Sequence, residues 1–121
     1  MTAGELIALV DALRPNSFEP NEKLRWLRLL DLQLQQELQA THEGAAAVIL
    51  SPRYEADTEL LAPEPYALEL YTAWLYSQID LHNGEITRYN QSIALLATAW
   101  RSLADWVNRT RKPRGAACWK L

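Results

Sequence analysis

The sequence predicts an all-α protein, a small bundle of about four helices with a long antiparallel C-terminal helical hairpin. Three observations predict it. The 121 residues are 49% hydrophobic with only four glycines, a composition of packed helices rather than of a sandwich or a disordered chain. Pro15, Pro20, Pro63, Pro65 and the pair Asn83-Gly84 divide the chain into stretches whose apolar residues recur every three or four positions. The last stretch, 85–110, is the longest. In it Ile86, Tyr89, Ile93, Leu96, Trp100, Leu103 and Val107 follow spacings of 3, 4, 3, 4, 3 and 4, a seam along one helix face. At about 1.5 Å per residue, that helix is roughly 39 Å long.

Taken in order, Thr2 and Glu5 have the spacing of a capping box, which starts a first helix running to Leu13. Its expected buried side is Leu6, Leu9, Val10 and Leu13, and Pro15 ends it by forcing the residue before it out of the helical region. Pro20 suits the first position of a second helix, where a missing N–H costs nothing, and that helix reaches Thr41. Leu24, Leu27, Leu30, Leu34 and Leu38 form its core face, whereas Trp26, Leu29 and Leu32 fall off that face and so predict a further contact. Gly44, with His42 before it, closes the helix. Residues 45–62 are the least regular part, and Pro52 argues against a continuous strand there.

The third helix covers 66–82 and is apolar on nearly every side: Leu70, Trp74 and Leu81 on one face, Leu68, Tyr71, Leu75 and Ile79 on the opposite one. Only Glu69, Tyr76 and Asp80 form a polar strip, so burial on two sides is expected. Asn83-Gly84 reverses the chain into the long helix. That helix also carries a second stripe, Leu95, Ala99, Ser102 and Trp106, which needs cover from another element or from a neighbouring subunit.

Charge is unevenly distributed. Residues 1–61 hold ten acids and five bases, residues 62–121 five acids and seven bases, for a net charge of -3. A bundle domain over 1–110 is thus followed by a basic tail over 111–121, and Arg109, Arg111, Lys112 and Arg114 can meet an acidic protein surface or nucleic acid. No run approaches the roughly 20 apolar residues of a membrane span, and residues 1–5 do not begin a signal peptide, so synthesis in the cytoplasm without export is expected. The single Cys118 excludes an internal disulfide and a paired-cysteine metal site. With no Gly-rich phosphate loop, no nucleophile elbow and two histidines 40 positions apart, the chain is expected to be neither an enzyme nor a cofactor protein. Five tryptophans are many for this length; Trp26, Trp106 and Trp119 lie off the expected core and are candidates for intermolecular contact.

The words of the sequence add to its periodicity. Gln78-Ile79-Asp80, Gly84-Glu85, Arg88-Tyr89-Asn90-Gln91-Ser92 and Trp106-Val107-Asn108-Arg109-Thr110 resemble small proteins encoded beside the capsid genes of tailed phages and prophages, the head-tail connector or adaptor proteins. Asp11-Ala12-Leu13-Arg14-Pro15-Asn16, Glu22-Lys23-Leu24-Arg25-Trp26-Leu27 and Leu61-Ala62-Pro63 fit the same pattern, so the resemblance spans about residues 5–110. It implies helical subunits that form a ring beneath the portal and join the DNA-filled head to the tail. The implied partners are further copies of the chain, the portal protein, tail or head-completion proteins and the DNA that passes through; the implied location is the virion, with no membrane. On that reading Trp26, Leu29, Leu95 and Trp106 are subunit contacts, and Arg109, Arg111, Lys112, Arg114 and Trp119 face the portal or DNA. Segments 45–62 and 109–121 then order on assembly. The alternative is a phage-encoded regulatory or inhibitory binding module that uses its basic tail.

Overall fold

The computed structural model describes residues 1–41 and 50–110 and contains four helices, α1 (Ala3–Leu13), α2 (Pro20–Thr41), α3 (Glu64–His82) and α4 (Ile86–Thr110). It is a small all-α bundle. The capping box forms as expected: the Glu5 N–H donates to Thr2 Oγ1 at 3.2 Å, and the Thr2 N–H reaches back to the Glu5 carboxylate at 3.4 Å. Pro65 sits in the first turn of α3, and Gly84, at φ 72°, makes the reversal into α4. Asn83 does not share the left-handed conformation; its φ is -86°.

The order of packing follows from α3. Its Leu70, Tyr71, Leu75 and Ile79 are buried, and it touches every other helix. α1 and α2 pack on it and on each other, with Leu6, Val10, Leu27, Leu30 and Leu34 closing that side. α4 lies antiparallel to α3, as the contact of Tyr66 with Trp106 at one end and of Asp80 with Ser92 at the other requires. Among the described residues, α4 approaches no other helix backbone.

Several expectations are corrected. On α1 the buried positions are Ala3, Leu6, Ile7 and Val10, whereas Leu9 is half-buried and Leu13 is exposed. Leu68 and Leu81 of α3 are exposed too, and Asp80, expected on a polar strip, is 1% exposed. On α4 the seam is rotated: the buried residues are Ser92, Ala99, Leu103, Ala104 and Val107, while Ile86 is exposed and Tyr89, Ile93, Leu96 and Trp100 are half-buried. Small side chains let two helix axes approach closely, so the larger residues of the predicted seam are displaced to the flank.

Segment 45–62 divides. Residues 45–49 lie outside the described part, as do His42 and Gly44. The rest is already held on the bundle as a strap, not left to order on assembly. Ala3 N–H donates to the Thr58 carbonyl and Gly4 N–H to that of Ala56, both at 2.8 Å, and Leu60 N–H donates to the Met1 carbonyl at 3.0 Å. The strap thereby satisfies N–H groups that a helix start leaves free. Gly4 is needed for this approach, since a Cβ there would lie 2.8 Å from the Ala56 carbonyl oxygen.

Candidate functional site

Three polar cross-links join the elements of the bundle. Where α1 turns into α2, the Lys23 ammonium, 2% exposed, donates to both Asp11 carboxylate oxygens at 2.8 and 2.9 Å and to Asn16 Oδ1 at 3.3 Å. Where α3 turns into α4, Asp80 Oδ2 accepts from Arg14 at 2.7 Å and from Ser92 Oγ at 2.8 Å, which ties α1, α3 and α4 together. The Arg14 guanidinium also lies 4.0 Å above the Tyr76 ring. Under the strap, Asp31 is fully buried; it accepts from the Tyr54 hydroxyl at 2.5 Å, the Leu61 N–H at 3.2 Å and the Tyr71 hydroxyl, which itself accepts from the Ala62 N–H at 2.8 Å.

Burial away from water pushes the Asp31 carboxyl above its ordinary value, against the opposing effect of its hydrogen bonds, and pushes both tyrosine hydroxyls up as well. Asp11, Arg14, Asn16, Lys23, Asp80, Gly84 and Ser92 all come from the polar words of the sequence. They act here as staples of the fold, not as a reactive cluster. Among the described residues no group of His, Cys, Asp and Glu is placed to hold a metal.

The open surface lies on the other side. Because, among the described residues, the α4 backbone closely approaches that of α3 and of no other helix, a groove of about 530 Å³ remains between α1, α3 and α4. Leu9 and Leu13 line it from α1, Leu68 and Thr72 from α3, and Leu95 and Ala99 from α4. Leu13 is 62%, Leu68 45% and Leu95 59% exposed, so three leucines meet water around one depression. Thr72 Oγ1, at the groove, is buried without a hydrogen-bond partner. On the opposite flank of α4 a shallower groove of about 260 Å³ runs past Leu30, Trp74, Ile93, Leu96 and Trp100.

The predicted contact residues separate accordingly. Trp26 is corrected: it is 4% exposed, its indole packs on Phe18 and His82 at 5.3 and 5.0 Å between centroids, and its carbonyl accepts from Trp74 Nε1 at 2.7 Å. Its surface is used within the chain. Trp106 is half-buried against Tyr66, with centroids 5.6 Å apart. Leu29, at 46%, and Leu95 remain exposed, and only Leu95 lines the groove. Arg109 is exposed in the last turn of α4; Arg111, Lys112, Arg114 and Trp119 lie outside the described residues. Sequence reasoning missed Leu13 and Leu68, which it assigned to the core. Among the described residues, no helix is long and apolar enough to cross a membrane.

No protein-family model, no curated protein and no solved structure matches the chain.

Proposed function

We propose that the protein is a structural subunit of a ring below the portal of a tailed phage, joining the DNA-filled head to the tail. The sequence words quoted above suggest the family, and the observation that carries the reading is the apolar groove beside α4. Isolated exposed leucines are ordinary on a protein surface, but Leu13, Leu68 and Leu95 around one depression form a continuous patch of the kind that protein contacts cover. A ring also needs a second, different surface on each subunit, because its contacts run head to tail. Leu81 and Ile86, 51% and 73% exposed on either side of the hairpin turn, offer one. The cross-linked α1–α2–α3 side supports the same reading, since a subunit of a load-bearing joint must keep its shape while its neighbours are added.

Arg109 at the end of α4 and the basic residues beyond it would face the portal or the passing DNA. Electron microscopy of the chain mixed with its portal tests the proposal. Rings of this chain added to the portal are the expected result. A chain that stays monomeric at high concentration and never adds to a portal would contradict it.

A further inference from the structure

Residues 1–61 contain five bases against ten acids. The fold uses two of the five internally, Lys23 on Asp11 and Arg14 on Asp80. The other three, Arg25, Arg28 and Arg53, are gathered around one pocket of about 340 Å³ between the first half of α2 and the strap. Asn21, Leu24, Arg25 and Arg28 share a helix face, so α2 presents them together, and Leu24 with Tyr54 gives the pocket an apolar part.

The donors are available. Arg28 Nε is fixed by the Ser51 carbonyl at 2.8 Å, which orients the guanidinium, and its terminal nitrogens form no ion pair among the described residues. Arg53 is exposed and forms none either. Arg25 is paired with Glu22 at 3.0 Å in a solvent-exposed bridge, the weak kind that a better placed anion displaces. Asp31, which accepts from the lining residue Tyr54, is already committed to Tyr54, Tyr71 and the strap backbone. Three guanidiniums therefore line one pocket, a local concentration of positive charge in a chain of net charge -3.

We infer that this pocket binds an acidic peptide segment of a protein partner, one of its carboxylates held by the guanidiniums of Arg28 and Arg53 and its neighbouring aliphatic atoms against Leu24 and Tyr54. Guanidinium groups match a carboxylate in two parallel hydrogen bonds, and a half-enclosed pocket with an apolar part accepts a side chain rather than a polymer backbone. A nucleic acid would need a basic track several phosphates long, whereas the three arginines here are gathered around one pocket. The pocket shares no lining residue with the groove beside α4, and the inference stands without the ring reading.

The test follows the arginine Nε–H signals by NMR while three probes are added to the full chain: the decapeptide (Glu-Ala)5, its neutral counterpart (Gln-Ala)5 and a ten-nucleotide oligothymidylate. Saturable shifts of the Arg28 and Arg53 signals with (Glu-Ala)5 alone are expected. Arg53→Gln, at an exposed position, should weaken that binding by about fivefold or more, and Arg28→Lys, which keeps the charge but loses the planar fork, should weaken it similarly. The backbone spectrum of each variant shows that the fold is kept. No saturable shift with (Glu-Ala)5, equal shifts with (Gln-Ala)5, or tighter binding of the oligothymidylate would each overturn the inference.

Discussion

The two sides of α3 are built differently. Toward α1, α2 and the strap, a fully buried carboxylate, a buried ammonium and strap-to-helix hydrogen bonds join elements distant in sequence. Toward α4 there is one helix on one helix, with an apolar groove on each flank and the large seam residues partly in water. α1 and α2 reach α4 at the rims of these grooves, through Leu9 and Leu13 on one flank and Leu30 on the other. The fold thus holds three elements in register and leaves the fourth half-covered, and α4 is the surface on which the proposed assembly depends.

Substitutions on the two sides should therefore separate stability from association. Leu27→Ala, at a fully buried position of the closed side, should cost about 3 kcal/mol by urea denaturation. Asp80→Ala should cost about 2–3 kcal/mol, somewhat less than breaking a wholly buried pair, because Arg14 is 28% exposed and can turn to water. Gly4→Ala is a sharper case. Helix propensity alone would make it stabilising by about 1 kcal/mol, but the new Cβ meets the Ala56 carbonyl, so a net loss of about 1 kcal/mol is expected in calorimetry. An increase in Tm would show that the strap yields freely.

Asp31 gives a pH test of the same closed side. Its carboxyl is raised in the folded protein above the ordinary value of 3.8, so the folded state binds the proton more readily than the unfolded one. The contribution is fully present below that ordinary value and is lost as pH rises through the raised folded value. The stability of the parent relative to Asp31→Asn should thus fall as pH increases across and above the carboxylate range and then level off. A difference that grows with pH would mean that the hydrogen bonds from Tyr54, Tyr71 and Leu61 outweigh the cost of burial.

The helices were legible because their signals are local. Proline positions, the Thr2–Glu5 box and Gly84 mark helix ends, and the sequence places every helix within two residues of its observed bounds. The faces were less so. Periodicity weighs large apolar residues, whereas close approach of α4 to α3 selects Ser92, Ala99 and Ala104, which leave little hydrophobic signal. Buried charges were invisible for another reason: Asp80 reads as a surface acid until Arg14, 66 positions away, is brought to it, and Asp31 until the strap crosses it. Trp26 looked free because its partners Phe18 and His82 come from a turn and from the far end of α3. Leu95 was found as an apolar residue off the main seam, but the groove it lines depends on Leu13 and Leu68 staying exposed, which only the packing shows.

Sedimentation velocity of the parent chain and of Leu95→Glu, each alone and with the portal, tests most directly whether the groove beside α4 is a surface for assembly. Leu95 is 59% exposed, so the substitution should change stability by no more than about 0.5 kcal/mol. The parent should form a ring or a portal-bound species that Leu95→Glu fails to form. Equal assembly by both chains would contradict the account.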